Sequence, residues 1–467
     1  MFEMKKLFSL LLSLIILFSI RSFVFAENSP TSVPNNKFGI HITDERDLPD
    51  AAALVNSSGG DWGYVTFVIT ESERDHDRWQ QVFDQMRRLH LIPIIRIATS
   101  ATGDTWNKPS EAEINNWIAF LNSLNWVIQN RYVVIGNEPN HTTEWGGIID
   151  PAGYADYLNE FSQKLHAASP DFFVLPAGFD ASAKNTSTTM DEASFLKKML
   201  AEQSNLFDNI DGWTSHSYPN PNFAGKEIDI GRRTIDTFDW ELNFLKGLGV
   251  TKDLPVFITE TGWSNQAIDP SQISQMYDYA FKNVWNDLRV VAVTPFILNY
   301  PQLPFAQFSW KKADGTFYPY YSGVQQLSKT PGTPIQIESG QILGAIAQPV
   351  MLPGSDFVGA VLAKNTGQSI WNSKEVVLTG DTKDVLIKSY SFLDVEPMRL
   401  GLIVFKAAAP ENTGIYSRSL FLSDTKGKRI TNSFPIESVI IAIDKMQVSS
   451  FFAKIGSYLQ SSLNLKF

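Results

Sequence analysis

Eight apolar segments recur between residues 38 and 298, and a helical pattern separates each from the next. Runs that stay apolar along their whole length are typical of parallel strands covered on both faces. The predicted strands are residues 38–42, 64–69, 92–98, 132–136, 172–177, 210–215, 256–259 and 290–298. Apolar residues at helical spacing fill the intervals, as at Trp79, Val82 and Met86. This alternation predicts an α/β fold, and the number of strands favours a (β/α)8 TIM barrel.

A doubly wound open sheet is the alternative α/β architecture. Such a sheet usually carries a Gly-rich phosphate-binding loop after its first strand. Residues 41–45 occupy that position here and read HITDE, without glycine. The barrel is therefore the preferred architecture, and we expect it to span residues 27–330.

The sequence pattern changes after residues 331–336, a Pro- and Gly-containing stretch that is predicted to be a linker. Short alternating strands separated by turn signals follow, and they predict a small β-sandwich over residues 337–436. Residues 365–371, NTGQSIW, are similar to a turn-then-Trp pattern of immunoglobulin-like domains in bacterial surface and secreted enzymes. Polysaccharide binding and support of the barrel are both open roles for this domain. The tail, residues 437–467, is left unassigned.

Residues 1–26 have the features of a signal peptide. Lys5 and Lys6 precede an apolar stretch at residues 7–20 that is short for a membrane span. Residues 24–26, VFA, fit the small-x-small cleavage pattern. The protein is therefore expected to be secreted, at the cell surface or in the periplasm. Arg21 interrupts the apolar region, which leaves an uncleaved N-terminal anchor as the alternative.

Composition and charge exclude several classes of function. The formal net charge of −10 disfavours binding to nucleic acid or to anionic membranes. The chain has no cysteine, which excludes disulfides and thiolate metal sites, and none of its six histidines lies at metal-ligand spacing. It also lacks a nucleotide-binding loop and a Gly-x-Ser-x-Gly motif. No metal and no cofactor are therefore expected, and the sequence does not predict an oligomeric state.

Two glutamates stand at the carboxyl ends of predicted strands. Glu138 lies in the motif IGNEPN (residues 135–140) after the fourth strand, and Glu260 lies in ITETGW (residues 258–263) at the seventh. A buried glutamate is costly unless it is paired or chemically useful. The carboxyl ends of the strands of a parallel barrel converge on one face, so the two side chains are expected to share a cleft. Retaining glycoside hydrolysis uses two such carboxylates, one as proton donor and one as nucleophile.

On this arrangement the sequence resembles the clan A glycoside hydrolases over about residues 38–327. The resemblance rests on both motifs, their order and the number of strands. It implies a double displacement on β-linked glycosides or polysaccharides, with Glu138 as acid/base, Glu260 as nucleophile and Asn137 as hydrogen-bond donor to the sugar 2-hydroxyl. A non-catalytic carbohydrate-binding protein on a barrel scaffold is the alternative, and another hydrolase or lyase on the same fold is a further one.

Three further polar residues are candidates because they lie in or just after predicted strands. The clan carries a His or Tyr after strand six that hydrogen-bonds one of the two glutamates, and His216 and Tyr218 both follow the sixth run here. Arg96 lies inside the third run, where its guanidinium needs an acceptor, and Glu260 is the expected one. The clan often carries such an arginine on strand two, so its position on strand three departs from the family pattern.

Three aromatic residues, Trp145, Trp263 and Tyr300, follow the fourth, seventh and eighth predicted strands. Flat aromatic rings cover the apolar faces of sugars, so stacking on the carbohydrate substrate is one interpretation of each. Packing in the core is the other. The clan usually has a tryptophan at the end of strand eight, for which Tyr300 or Trp310 would have to substitute in this chain.

Overall fold

The computed structural model describes residues 29–381 and 386–442, together with residues 453, 454 and 457. The predicted signal peptide and most of the predicted tail therefore lie outside the described residues. The chain divides into two compact units, of which the first contains most of the described residues up to 334 and the second most of those from 335 onward. In the part of the chain that the structure describes, no helix is both long enough and apolar enough to cross a membrane.

Eight parallel strands run through the first unit. They are β1 (Gly39–His41), β2 (Gly63–Thr70), β3 (Leu91–Ala98), β4 (Arg131–Ile135), β5 (Phe172–Pro176), β6 (Trp213–His216), β7 (Val256–Glu260) and β8 (Val290–Val293). Strands β1 to β5 pair in chain order in one sheet, and β6 to β8 pair in chain order in a second. Isolated parallel bridges join Phe38 to Val293 and Asp180 to His216, at the edges of the two sheets. The α/β class is as predicted, but the strand ladders of the described residues form two sheets rather than one closed sheet.

A helix follows each of these strands. The helices are α1 (Leu48–Val55), α2 (His76–Arg88), α3 (Glu111–Ser123), α4 (Pro151–Ala168), α5 (Glu192–Glu202), α6 (Thr237–Gly247), α7 (Pro270–Tyr279) and α8 (Pro319–Gln326). Aspartate side chains cap three of the helices, and two of these also begin with proline: Asp150 accepts from Gly153 N before α4, and Asp269 accepts from Ser271 N before α7. Proline occupies the first turn of both helices, where its missing N–H has no intrahelical partner to lose.

The space between the strands is filled by aromatic side chains from both sheets. The rings of Tyr132 on β4, Phe173 on β5 and Phe257 on β7 contact one another, with centroid separations of 4.9–5.7 Å. All three are buried. The two sheets therefore share an interior, and polar side chains at the strand ends stand at its rim.

The eighth strand is shorter than predicted, because it ends at Val293 rather than at residue 298. Beyond it, Phe296 donates its backbone N–H to Thr261 O (2.9 Å) and Leu298 donates to His41 O (2.9 Å). These bonds direct the chain across the carboxyl ends of β7 and β1 instead of along the sheet. The assignment of residues 294–298 to the strand was therefore wrong, because these residues belong to the loop that follows the strand.

The described residues of the second unit contain eight strands in two four-stranded sheets. They are β9 (Gly340–Ile346), β10 (Val350–Met351), β11 (Asp356–Asn365), β12 (Val376–Gly380), β13 (Leu386–Ser391), β14 (Leu400–Ala408), β15 (Gly414–Asp424) and β16 (Phe434–Ile440). The orders are β9-β11-β14-β13 and β10-β16-β15-β12. Buried residues of both sheets, among them Phe405 and Leu422, form one core with Trp371, which is consistent with the predicted β-sandwich. Strand β16 runs past residue 436, the predicted end of this domain.

Candidate active site

A cleft of about 690 Å³ lies at the carboxyl ends of the strands of the first unit. Its polar lining includes His41, Arg96, Asn137, Glu138, His141, Glu144, Asp180, His216, Tyr218 and Glu260. All six polar residues that the sequence singles out are in this set. They come from β3, from the loop after β4, from β6 and the loop after it, and from the end of β7.

Glu138 is held in an unusual backbone conformation just beyond β4. Its φ is +30°, and Gly136 two residues earlier has a φ of +89°, which glycine adopts without steric cost. The Glu138 backbone N–H donates to Gly178 O (3.0 Å), and its Oε1 lies 2.8 Å from His216 Nδ1. A non-glycine residue at positive φ costs about 1–3 kcal/mol and persists where its surroundings fix it. The loop therefore gives up some stability to present this carboxyl group to the cleft.

Glu260, the last residue of β7, is held as a carboxylate. Arg96 Nη1 donates to its Oε1, and the Tyr218 hydroxyl donates to its Oε2 (3.1 Å). Burial by itself would raise the pKa of Glu260, but the charges of His216 and Arg96 outweigh burial and lower the pKa to about 2. Glu260 is therefore ionised throughout the neutral pH range.

Arg96 joins two of the predicted residues. Its Nη1 donates to Asn137 Oδ1 (2.8 Å) as well as to Glu260. Only 13% of the Arg96 side chain is exposed, so both bonds help to satisfy a charge that would be costly to leave unpaired there. The bond at Oδ1 leaves the two N–H groups of the Asn137 amide available to other acceptors.

His216 stands between the two glutamates. Its Nδ1 lies 2.8 Å from Glu138 Oε1 and 3.9 Å from Glu260 Oε2. Burial alone would lower the pKa of this imidazole, but the two carboxylates outweigh burial and raise the pKa above its ordinary value. The protonated form of His216 is therefore more stable than that of a free imidazole, and in this form Nδ1–H donates to Glu138.

One ligating atom from each of Glu138, His216 and Glu260 lies within 4.8 Å of the other two. Groups this close could share a cation. The contacts of the described residues already satisfy them in pairs, because His216 bonds Glu138 and Arg96 bonds Glu260. The expectation of a metal-free site stays a prediction.

The three predicted aromatic residues lie in different places. Tyr300 lines the cleft, and its ring contacts Phe305 edge to face at a centroid distance of 5.4 Å. Trp145 and Trp263 are buried, and Trp263 Nε1 donates to Gly225 O (2.9 Å). Core packing, rather than stacking on sugar, therefore describes both tryptophans. A position shortly after a strand end therefore does not determine whether an aromatic ring points into the cleft or into the core.

An aromatic wall forms one side of the cleft. Its members are Tyr218, Phe223, Phe296, Tyr300, Phe305 and Phe308. Phe223 packs edge to face on Phe308, with ring centroids 4.8 Å apart, and also contacts Tyr218. Trp310, the other candidate for the clan's strand-eight tryptophan, is buried. The phenylalanines were not predicted as cleft residues. Phe296 lies inside the predicted eighth strand, and the other three lie in segments without a periodic pattern.

Several polar residues of the cleft were also not predicted, among them His41, His141, Glu144 and Asp180. His141 Nε2 lies 2.9 Å from Asp180 Oδ2. Burial, and then the charge of Arg96, lower the pKa of His41 to about 3, so this imidazole at the end of β1 is neutral. Burial, and then the charge of Glu138, raise the pKa of Glu144 to about 7. The strand-end rule applied to the first run would have found His41, whereas Glu144 lies in a loop that no pattern marks.

The chain matches no family model and no curated protein sequence. Solved structures to which it is similar are glycoside hydrolases. One is a family 39 glycoside hydrolase from Bacteroides cellulosilyticus WH2, with 14% identity, a TM-score of 0.44 and coverage of 81% of this chain and 82% of that one. Another is a monomeric β-xylosidase from Caulobacter crescentus CB15, with 11% identity, a TM-score of 0.42 and coverage of 87% and 95%. A third is an endo-β-1,4-glucanase from Xanthomonas axonopodis pv. citri, with 12% identity, a TM-score of 0.41 and coverage of 62% and 97%. Identities and TM-scores this low do not assign the chain to any of these families.

Proposed function

We propose that the protein is a retaining glycoside hydrolase that cleaves β-linked glycosides or polysaccharides. The observation that carries the proposal is the short spacing of Glu138 and Glu260, with one oxygen of each lying within 4.8 Å of the other. Retaining enzymes hold their two carboxyl groups about 5–5.5 Å apart, whereas inverting enzymes separate them by about 6.5–9.5 Å to admit a water molecule. The spacing here supports retention.

The two carboxyl groups also differ in the way that this reaction requires. Arg96 and Tyr218 orient the two oxygens of Glu260 and keep it ionised, which suits a nucleophile. Glu138 is more accessible, with 23% of its side chain exposed against 10% for Glu260. A group that gives a proton to the substrate and later takes one from water suits the more accessible position.

The reaction then runs in two displacements. In the first, Glu260 attacks the anomeric carbon, the bond from that carbon to the leaving oxygen breaks, and Glu138 transfers its proton to the leaving oxygen. In the second, Glu138 removes a proton from water, the water oxygen bonds to the anomeric carbon, and the bond to Glu260 breaks. The amide of Asn137 would donate to a substrate hydroxyl beside these groups, and the products are an alcohol and a sugar of retained configuration.

Turnover of a panel of nitrophenyl β-glycosides and β-linked polysaccharides tests this proposal. We expect hydrolysis of at least one of them, with the β-anomer as the first product in a proton NMR time course. First appearance of the α-anomer would contradict retention. Saturable sugar binding without any turnover would favour the non-catalytic carbohydrate-binding alternative. Glu260→Gln is the matched control, because it keeps the shape of the side chain and removes the nucleophile.

We also propose that the two parallel sheets close into one (β/α)8 barrel and that the second unit is an immunoglobulin-like domain. The single bridges at both pairs of sheet edges support closure, and the two four-stranded sheets around Trp371 support the second assignment. An experimental structure with open gaps between β1 and β8 and between β5 and β6 would contradict the barrel. A strand order unlike that of immunoglobulin domains in the same structure would contradict the second assignment.

Export of the protein is proposed from residues 1–26 alone. N-terminal sequencing of protein from the medium or the periplasm should find a chain that starts near Glu27. A cell-bound protein that still begins at residue 1 would favour the uncleaved anchor, and recovery from the cytoplasm alone would contradict export.

A further inference from the structure

The cleft contains carboxyl groups that the proposed two-glutamate reaction does not use, and that of Glu144 is one of them. Glu144 ends the 3-10 turn Thr142–Glu144 in the loop after β4. It lines both the main cleft and a smaller cavity of about 50 Å³ beside it. A cavity of that size has room for water. Glu144 can therefore exchange protons with solvent although it is partly buried.

A chain of contacts connects Glu144 to the proposed nucleophile. Asn137 lines the same two cavities as Glu144, and its side chain is one of the groups that oppose the rise in the pKa of Glu144. Because Asn137 Oδ1 accepts from Arg96 Nη1 (2.8 Å), the N–H side of the amide is the side available to Glu144. Arg96 in turn donates to Glu260. A change in the charge of Glu144 should therefore affect Asn137 first, and Asn137 is the residue expected to donate to the substrate.

Glu144 differs from the other carboxylates of the cleft in its charge environment. The others have cationic partners, in the pairs Glu260–Arg96, Glu138–His216, Asp180–His141 and Glu73–Arg78. Among the described residues, no lysine, arginine or histidine forms an ion pair with Glu144. Without such a partner, no salt bridge opposes the rise in the pKa of Glu144 that desolvation and neighbouring negative charge cause.

The charged groups that face Glu144 come from three elements. Burial raises its pKa most, Glu138 after β4 raises it next, and Glu260 on β7 adds to the shift. The Asn137 amide and Arg96 on β3 oppose it, and His141 within its own loop also interacts with it. The balance leaves the pKa of Glu144 at about 7. Its charge therefore changes near neutral pH.

We propose that Glu144 is a positioning residue whose carboxylate takes one N–H of the Asn137 amide so that the other N–H points to the substrate. The inference rests on the proposed hydrolase function. The bond from Asn137 is charge-assisted when Glu144 is ionised and neutral when it is protonated, and charge-assisted bonds are about twice as strong. The amide is therefore held more firmly as the pH rises through about 7, and kcat/KM should gain roughly fivefold over that range.

The test compares pH profiles of kcat and kcat/KM for the wild type, Glu144→Gln and Glu144→Ala on one nitrophenyl glycoside, between about pH 5 and pH 9. Glutamine offers the same acceptor to the Asn137 amide but does not titrate. Glu144→Gln should therefore lack the inflection near pH 7 and keep about the activity that the wild type shows below it. Glu144→Ala removes the acceptor and should be roughly fivefold or more below the high-pH wild type at every pH.

Glu71→Gln is the matched control. Burial raises the pKa of Glu71 too, but this residue is not among the described residues that line the cleft, so its variant should keep the wild-type profile.

A binding measurement gives a readout apart from turnover: calorimetry of the product sugar near pH 7 should show proton exchange with buffer for the wild type and less of it for Glu144→Gln. A surviving inflection in Glu144→Gln, or full activity of Glu144→Ala, would overturn the role of Glu144 and leave the hydrolase proposal intact. A wild type without turnover on any glycoside would overturn both.

Discussion

Alanine at position 178 should displace His216 without removing it. Gly178 lies just beyond β5, and a Cβ there would stand 2.2 Å from His216 Cδ2 and 2.5 Å from His216 Nε2. Carbon atoms in contact are ordinarily about 3.5–4.0 Å apart, so the ring would have to retreat by about 1 Å. The 2.8 Å bond from His216 Nδ1 to Glu138 would then exceed the limit of about 3.2 Å for a hydrogen bond.

The size of the effect follows from what this bond contributes. A hydrogen bond with a charged partner contributes about 1.5–3 kcal/mol, which corresponds to roughly 10- to 150-fold in rate if the bond matters fully in the transition state. Crowding a packed site costs about 1–3 kcal/mol of stability. Gly178→Ala should therefore fold, lose some of its free energy of unfolding, and lose activity out of proportion to that change.

The assay is kcat/KM on a nitrophenyl glycoside well below the unfolding temperature, with urea unfolding of the same preparation. Gly247→Ala at the end of α6 is the matched control, because a Cβ there meets no atom within 4 Å. That variant should keep its activity. A second comparison adds Gly178→Ala to His216→Ala: once the imidazole is gone, the added methyl group has nothing to displace and should cause no further loss of activity.

Two results would refute this reasoning. If Gly178→Ala were less stable yet nearly as active as the wild type, the bond from His216 would not be needed to hold Glu138. If Gly178→Ala lowered activity equally with and without the His216 side chain, its effect would reach the site through the backbone, since Gly178 O accepts the Glu138 N–H.

The remaining predictions concern the two glutamates and a buried acid pair. Glu260→Ala should lose activity on the order of 10⁴-fold or more, whereas Glu138→Ala should still react with substrates that have very good leaving groups and should be partly rescued by azide. Equal losses on all substrates without rescue would contradict these roles. Glu192 and Glu241 are fully buried, and burial raises the pKa of both above the ordinary value. The neighbouring Glu241 raises the pKa of Glu192 further. Acids held neutral in the folded state stabilise it at low pH and lose that contribution as pH rises above their unfolded pKa. Urea unfolding should therefore show a smaller decline in stability between about pH 5 and pH 8 for Glu192→Gln than for the wild type, and an identical decline would count against the pair.

The polar part of the site was largely predictable because it follows from the geometry of parallel strands. Residues at the carboxyl ends of neighbouring parallel strands meet at one edge, and this rule brings Glu138 and Glu260 into one cleft although they are far apart in sequence. Glu260 was also predicted correctly as the acceptor for Arg96, because a guanidinium inside an apolar run needs an acceptor nearby. These inferences needed only strand order and direction.

The loops could not be predicted in the same way. Residues 294–298 look like a continuation of the eighth strand, yet Phe296 and Leu298 bond residues at the ends of β7 and β1, and Ile297 bonds Phe308 O in a later loop. Trp263 and Tyr300 both follow strand ends, yet one is buried and the other lines the cleft. In each case, contacts with distant residues decide the direction of the chain, and no local pattern encodes them.

Ionisation within the cleft depends on such distant contacts even more strongly. Glu138 and Glu144 are six residues apart on one loop, but His216, from β6, pairs with the first and no described cation pairs with the second. Asp180 is partly buried like Glu144, and burial opposes its ionisation. The bond with His141 and the Ser182 N–H together outweigh burial and lower the pKa of Asp180, whereas the pKa of Glu144 rises to about 7. Three carboxylates in one cleft can therefore act as nucleophile, proton carrier and titrating support. The sequence shows which residues carry the carboxyl groups, and the tertiary partner of each decides which of these roles its charge permits.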